Sequence, residues 1–132
     1  MVLHLHKSQP ARAPIVLAGL LALCMPAAAQ NWIGLLKNTP AENFNEEDLK
    51  LFLEASRKAL NETPVGGTEK WQNPVSGSGG EVKVVKLFTW QDNPCRQIRV
   101  SNYTVDRKGS NTLNLCQVVG KWKLLSPSQV KG

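Results

Sequence analysis

The chain has 132 residues, and its 16 lysines and arginines against 10 aspartates and glutamates give it a net charge of +6. This length allows one ordinary domain with a single modest core. Three cysteines are too few for a disulfide-dense miniprotein, so packing must supply most of the stability.

The first 29 residues have the pattern of a signal peptide. Lys7 and Arg12 make the start basic, and the apolar run at 15–25 is shorter than the roughly 20 residues of a membrane-spanning helix. The alanines at 27–29 are typical of a signal-peptidase site. We therefore predict a signal peptide at 1–29 and an exported mature chain, periplasmic or secreted, in oxidising surroundings.

Cys24 leaves a second interpretation of this segment open. In a lipoprotein signal the lipid-modified cysteine follows a small residue, and the acyl chain then holds the domain on a membrane. The bulky Leu23 occupies that preceding position, so cleavage after the alanines is favoured. Lipid anchoring at Cys24, with outer-membrane association, stays the alternative.

Loss of the signal peptide would limit the chemistry that remains. His4 and His6 are the only histidines, so the mature chain lacks the commonest general base and zinc ligand. No spacing of serines, lysines or carboxylates marks a catalytic pair or a metal site. We predict a non-enzymatic protein with no cofactor and no metal, and with one disulfide between Cys95 and Cys116.

Residues 30–44 form a predicted N-terminal arm. Its apolar cluster at 32–36 either packs on the core or stays mobile, and packing is favoured. Asn45 is a good N-cap for an amphipathic helix that we predict from Glu46 to Leu60. Apolar side chains recur there at helical spacing: Leu49, Phe52, Leu53 and Leu60.

Beyond the helix, five segments have the composition of strands. They lie at 68–72, 81–90, 95–105, 112–118 and 121–125. Short links between successive strands predict an antiparallel meander of four to five strands, with the helix packed on one face. The prediction is an α+β domain over residues 45–125, followed by a loose polar tail at 126–132.

The two cysteines constrain the register of one hairpin. If they lie directly opposite each other, the hairpin is centred between Val105 and Asp106, whereas the best turn residues are Lys108 and Gly109. A regular hairpin cannot satisfy both centres. Either the hairpin contains a bulge or the bridge joins strands that are not directly paired, and the bulge is favoured.

Basic residues concentrate in the second half of the mature chain. Residues 64–132 hold ten basic and four acidic side chains, a net of +6, against four basic and six acidic ones in 30–63. The candidate binding residues are Trp90, Lys83, Lys86, Arg96 and Arg99. Cations beside a tryptophan favour lipid headgroups or an anionic envelope polymer as partner, and nucleic acid is not expected outside the cytoplasm. A protein-interaction module, such as an inhibitor or accessory subunit of an envelope enzyme, is the alternative.

An ordered set of residues follows the predicted helix. The set consists of Trp71-Gln72-Asn73-Pro74, Ser76-Gly77, Gly80, Val82, Cys95-Arg96, Cys116, Gly120 and Trp122. Over about residues 46–125 the chain thereby resembles the C-terminal domain of the bacterial 17 kDa outer-membrane surface antigen family. The resemblance implies an envelope protein without catalytic residues. Members often carry a glycine-zipper segment before this domain, and its absence here favours a soluble periplasmic or secreted form.

Overall fold

The computed structural model describes residues 36–130, so the predicted signal peptide and residues 30–35 of the arm lie outside the described residues. A 3-10 turn at Pro40–Asn43 precedes helix α1, Glu46–Asn61. Five strands follow: β1 Thr68–Asn73, β2 Ser78–Trp90, β3 Asn93–Tyr103, β4 Lys108–Val118 and β5 Lys121–Leu124. One helical turn, α2, Pro127–Val130, lies where the sequence predicted a loose tail.

The start of α1 is fixed by a capping box. The Asn45 side chain accepts a hydrogen bond from the backbone N–H of Asp48 (2.8 Å), and the Asp48 carboxylate accepts one from the backbone N–H of Asn45 (3.0 Å). The predicted start is confirmed, and the end differs by one residue. Leu49, Leu51 and Leu53 are all only partly buried, so α1 is not clearly amphipathic, and the single apolar face that the sequence predicted is less distinct.

The five strands form one antiparallel sheet in the order β1-β2-β3-β4-β5, which confirms the predicted meander. Strand β2 begins earlier than predicted and takes in two glycines. Tyr103 of β3 lies over Gly79, and a Cβ at Gly80 would collide with the side chain of Asn102. These glycines therefore serve close packing within the sheet rather than a flexible turn.

The β3–β4 hairpin is regular, so the predicted bulge there is wrong. Its register is unbroken from the pair Cys95 and Cys116 to the pair Tyr103 and Lys108, which leaves residues 104–107 as the turn. The two cysteines form the predicted disulfide, with their Cα atoms 4.0 Å apart. The cysteines, rather than the best turn residues, thus mark the centre of this hairpin.

Gly109, one of the expected turn residues, lies inside β4 and faces Pro40. A Cβ at this position would lie 2.9 Å from the proline Cδ atom, so the glycine serves this close approach rather than the turn. The register shift in the sheet lies instead in β2, between Val84 and Lys86. Val85 is the extra residue of this bulge. The bulge resets the alternation of side chains, so that Val84 before it points to the core and Lys86 after it points to the opposite face of the sheet.

The main core lies between α1 and one face of the sheet. Trp71 of β1 meets Phe44 and Phe52 edge-on, with ring centroids 5.0 and 6.3 Å away. Val82, Ile98 and Leu115 of the next three strands are fully buried beside them. Leu36 packs against this core, so the described end of the arm lies on the domain.

A second, smaller cluster lies on the opposite face of the sheet, and we call it the outer cluster. The disulfide and Leu125 are its buried members. Phe88, Trp90 and Val118 are partly buried against them. The chain after β5 therefore returns over the sheet and covers the disulfide.

A buried carboxylate joins α1 to the β1–β2 turn. Asp48, which is 1% exposed, accepts hydrogen bonds from the Ser76 hydroxyl (2.6 Å) and the Asn73 amide (2.7 Å). Burial by itself would raise the pKa of Asp48. Hydrogen bonds from Ser76, the Asn45 backbone, Asn73 and Ser78 outweigh burial and lower this pKa below its ordinary value, so the carboxylate is ionised at neutral pH.

Candidate functional site

The sheet surface that faces away from α1 is the candidate site, and we call it the open face. Successive side chains of a strand point to opposite faces, so the buried Ile98 and Val100 place Arg99 on the open face. The register extends this assignment to the neighbouring strands, because directly paired residues share a face.

Cations dominate the open face. Seven exposed basic side chains lie on it: Lys70, Lys83, Lys86, Arg99, Lys108, Lys121 and Lys123. Glu81, which is paired with Lys70, is the one acidic residue that the described strands place there. The salt bridges formed within residues 36–130 connect other cations: Arg57 to Glu62, Lys58 to Glu54 and Arg107 to Glu42. The open face is therefore a strongly positive surface, with one carboxylate among seven cations and no salt bridge among its described residues.

Two of these cations lie directly opposite each other at the centre of the sheet. Lys83 of β2 is paired with Arg99 of β3, and Thr68 and Thr112 flank them on β1 and β4. Opposed side chains have Cβ atoms about 4.5–5.5 Å apart, and like charges at this spacing repel each other. The Arg99 Nε–H donates to the Ser110 hydroxyl (3.1 Å), which orients the guanidinium without neutralising it. An anion bound between the two side chains would remove the repulsion.

A shallow cleft of about 680 Å³ lies beside this pair. Lys70, Ser101, Tyr103, Lys108 and Ser110 are among the residues that line it. Ser101 and Ser110 share a hydrogen bond of 3.0 Å across the two strands. Trp71 and Glu81 also line the cleft, so it offers ammonium and hydroxyl donors, one carboxylate and two aromatic residues, which suits polyhydroxylated or anionic groups.

The structure brings together four of the five candidate residues that the sequence singled out. Lys83, Lys86 and Arg99 lie on the open face, and the Lys86 ammonium is 5.9 Å from the centre of the Phe88 ring. Trp90 lies on the same face, half-buried against the outer cluster.

Arg96 is the candidate that lies elsewhere. It points toward α1, where its Nη1 donates to the backbone carbonyls of Ala59 (3.0 Å) and Thr63. Ala59 belongs to the last turn of α1 and Thr63 follows the helix by two residues, so Arg96 satisfies a carbonyl that the helix leaves free and another just beyond its end. The alternation of faces along a strand predicts this result, because Arg96 and Arg99 are three positions apart and therefore point to opposite faces.

Lys70, Lys108 and Tyr103 are site residues that sequence reasoning missed. The pairing of Cys95 with Cys116 carries the signal for two of them, because the same register continues to Tyr103 opposite Lys108. Lys70 needs the register of β1 on β2, which no residue of the sequence marks.

The described part of the chain contains no helix long and apolar enough to cross a membrane. Over the same residues, no three histidine, cysteine, aspartate or glutamate side chains are grouped so that they could hold a metal ion. Comparison of the chain with protein-family models, with curated proteins and with solved structures gives no match. The resemblance to the 17 kDa surface antigen family therefore stays a prediction.

Proposed function

We propose that this chain is a non-enzymatic, exported protein that binds an anionic component of the cell envelope through its open face. The observation that carries the proposal is the pairing of Lys83 with Arg99, two exposed cations held side by side with no carboxylate between them. Repulsion between the two cations lowers the stability of the folded domain, and binding of an anionic partner would remove this repulsion.

The strength expected of such a surface follows from its charge. A cation close to an anionic surface contributes about 1 kcal/mol, and salt screens this attraction because the Debye length is about 8 Å at physiological ionic strength. Seven cations on one face would give measurable binding at low salt that weakens as salt is added.

The test removes the central pair and leaves the sheet intact. The double variant Lys83→Gln/Arg99→Gln should bind about 30-fold more weakly than the wild type to immobilised lipopolysaccharide, peptidoglycan or anionic vesicles, since two contributions of about 1 kcal/mol are lost. The control, Lys37→Gln/Lys50→Gln, has the same net charge, and its exposed positions lie outside the open face. Equal binding by the two double variants, or no salt-sensitive binding by the wild type, would refute the proposal.

Export is part of the proposal and has its own test. The disulfide between Cys95 and Cys116 is compatible with oxidising surroundings. Mass spectrometry of the protein from its native host should find Gln30 as the first residue. A chain that begins at an acylated Cys24 would instead place the domain on a membrane through a lipid anchor.

A protein-interaction module is the second candidate, favoured by a cleft of about 680 Å³ beyond the C-terminal end of α1. Leu87, which is 56% exposed, lies there with Leu60 and Trp122. Exposed apolar surface of this kind suits a protein partner better than a polysaccharide. Leu87→Ser should abolish capture of such a partner while binding to lipopolysaccharide stays unchanged, and the open-face double variant should do the reverse.

A further inference from the structure

Two tight turns lie side by side at one end of the open face. Phe88, Cys95, Cys116 and Lys123 form one row across four strands. Both β2 and β4 run two residues past this row, to Trp90 and Val118, before they turn. We call this region the turn end: Trp90, Gln91 and Asp92 of one hairpin, and Val118, Val119 and Gly120 of the other.

Val119 has a backbone conformation that suits a different residue. Its φ angle is 51° and that of Gly120 is 75°, so the β4–β5 link is a two-residue turn with two left-handed residues. Asparagine and glycine are the residues typical of the first position, whereas a β-branched residue with positive φ is a genuine outlier. The Val119 side chain is 94% exposed, so no packing offsets the strain. Folding stability alone therefore gives no reason for valine at this position.

The surroundings of Val119 combine apolar and cationic groups. Trp90 and Val118 lie just behind it, partly buried in the outer cluster. Lys121 and Lys123 of β5 and Lys86 of β2 point to the same face. Asp92 is the acidic residue of the two turns. Val119 is the exposed aliphatic tip, Trp90 lies behind it, and the lysines lie level with the tryptophan or further back. This order matches that of acyl chain, interface and headgroup at a bilayer surface.

We propose that the turn end inserts into the surface of an anionic lipid bilayer, with Val119 and Trp90 at the acyl boundary and the lysines on the headgroups. The inference rests on the proposed function and names lipid headgroups as the anionic component. Lys121 is paired with Val118 and Lys123 with Cys116, and a strand rises about 3.3 Å per residue, so Lys121 lies about 3 Å and Lys123 about 10 Å behind Val119. Interfacial elements bury about 5–10 Å of their length, so Lys123 lies at headgroup level and the long side chain of Lys121 reaches that level by extending away from the acyl chains.

The decisive variant is Val119→Asn, which separates stability from binding. Asn-Gly is the preferred sequence for this turn. Relief of the backbone strain should therefore raise the melting temperature of a domain of this size by about 4–8 °C. Affinity for vesicles of equimolar phosphatidylcholine and phosphatidylglycerol should fall about tenfold, the contribution of one buried valine side chain. Val75→Asn is the matched control, because Val75 is 93% exposed in the β1–β2 turn, away from the turn end, and it should bind as the wild type does.

Trp90 provides a second readout of insertion. Phosphatidylglycerol brominated on its acyl chains should quench part of the tryptophan fluorescence of the full, purified protein, and that part should be missing in Trp90→Phe. Quenching of equal extent in the two proteins would place Trp90 outside the bilayer and overturn the inference.

Heparin, a soluble anionic polymer, distinguishes failure of the inference from failure of the proposed function. Val119→Asn should bind heparin as the wild type does, whereas Lys83→Gln/Arg99→Gln should lose heparin and vesicles together. Unchanged vesicle affinity in Val119→Asn, with heparin binding intact, would overturn the insertion alone. A wild-type protein that binds neither heparin nor anionic vesicles would overturn the proposed function as well.

Discussion

Asp48 is a single residue with two structural roles. One carboxylate caps the start of α1 and also holds the β1–β2 turn through Asn73 and Ser76. Within residues 36–130 no buried side-chain nitrogen or oxygen lacks a hydrogen-bond partner, and the carboxylate of Asp48 meets this condition through Asn45, Asn73 and Ser76. The helix and the first hairpin are therefore joined by polar contacts as well as by the core.

We predict that Asp48→Asn lowers the free energy of unfolding by about 3 kcal/mol. Charge-assisted hydrogen bonds are lost, and the NH2 group of the new amide faces other hydrogen-bond donors. Glu47→Gln, an exposed change in the same turn, should alter it by less than about 0.5 kcal/mol. Chemical denaturation of the two variants gives the comparison. Equal stabilities would show that Asp48 is dispensable.

The same residue gives the domain an acid-sensitive component. The folded state lowers the pKa of Asp48, so its stabilising contribution is complete above the unfolded pKa of about 3.9 and is lost as the pH falls through the folded value. Denaturation midpoints of the wild type should therefore decline below about pH 4 more steeply than those of Asp48→Asn.

At the scale of elements, Arg96 connects β3 to the end of α1. Its guanidinium donates to the carbonyls of Ala59 and Thr63, and its positive charge lies at the negative end of the helix dipole. Arg99 is three residues further along the same strand and points to the other face. Two arginines of one strand thus have different tasks, one in folding and one in the candidate site.

We predict that Arg96→Gln lowers the free energy of unfolding by about 1–3 kcal/mol and leaves heparin binding unchanged, because hydrogen bonds to a charged group have this strength. Arg99→Gln should leave stability within about 0.5 kcal/mol and weaken heparin binding about fivefold. Denaturation and heparin binding are measured on both variants. Arg96→Gln should change only the stability, and Arg99→Gln should change only the binding. If Arg96→Gln lost heparin binding while it was still fully folded, the assignment of Arg96 to the face of the sheet that packs on α1 would be wrong.

The accuracy of sequence-based prediction also varied by element. The bounds of α1 could be read locally, because Asn45 and Asp48 lie within one turn of the start that they cap. The disulfide and the order of strands followed from cysteine count and short links. The turn at 104–107 follows only when the two cysteines are placed directly opposite each other, because the turn residues Lys108 and Gly109 favour a different centre. No residue of the sequence marks the register shift at Val85.

The candidate site was predictable in part for a similar reason. Lys83, Lys86 and Arg99 were recognisable as a basic group, but the choice of Arg96 ignored the alternation of faces. The strain at Val119 appears only once the backbone is known, because the sequence Val-Gly is compatible with several turn types.

At the scale of the whole molecule, charge is divided between two sides. The open face carries seven cations against one carboxylate, while α1, on the other side of the core, carries three exposed glutamates beside three bases, Lys50, Arg57 and Lys58. Such a division orients the domain as it approaches an anionic surface, and orientation acts on the association rate more than on the dissociation rate.

We predict that the two sets of variants separate in the kinetics of vesicle binding. Lys83→Gln/Arg99→Gln should mainly lower the association rate constant and flatten its dependence on salt, because long-range attraction is reduced. Val119→Asn should mainly raise the dissociation rate constant, because short-range apolar contact acts after encounter. Surface plasmon resonance on immobilised vesicles at several salt concentrations measures both constants. If both variants changed only the dissociation rate, the open face would be a contact surface without a role in steering.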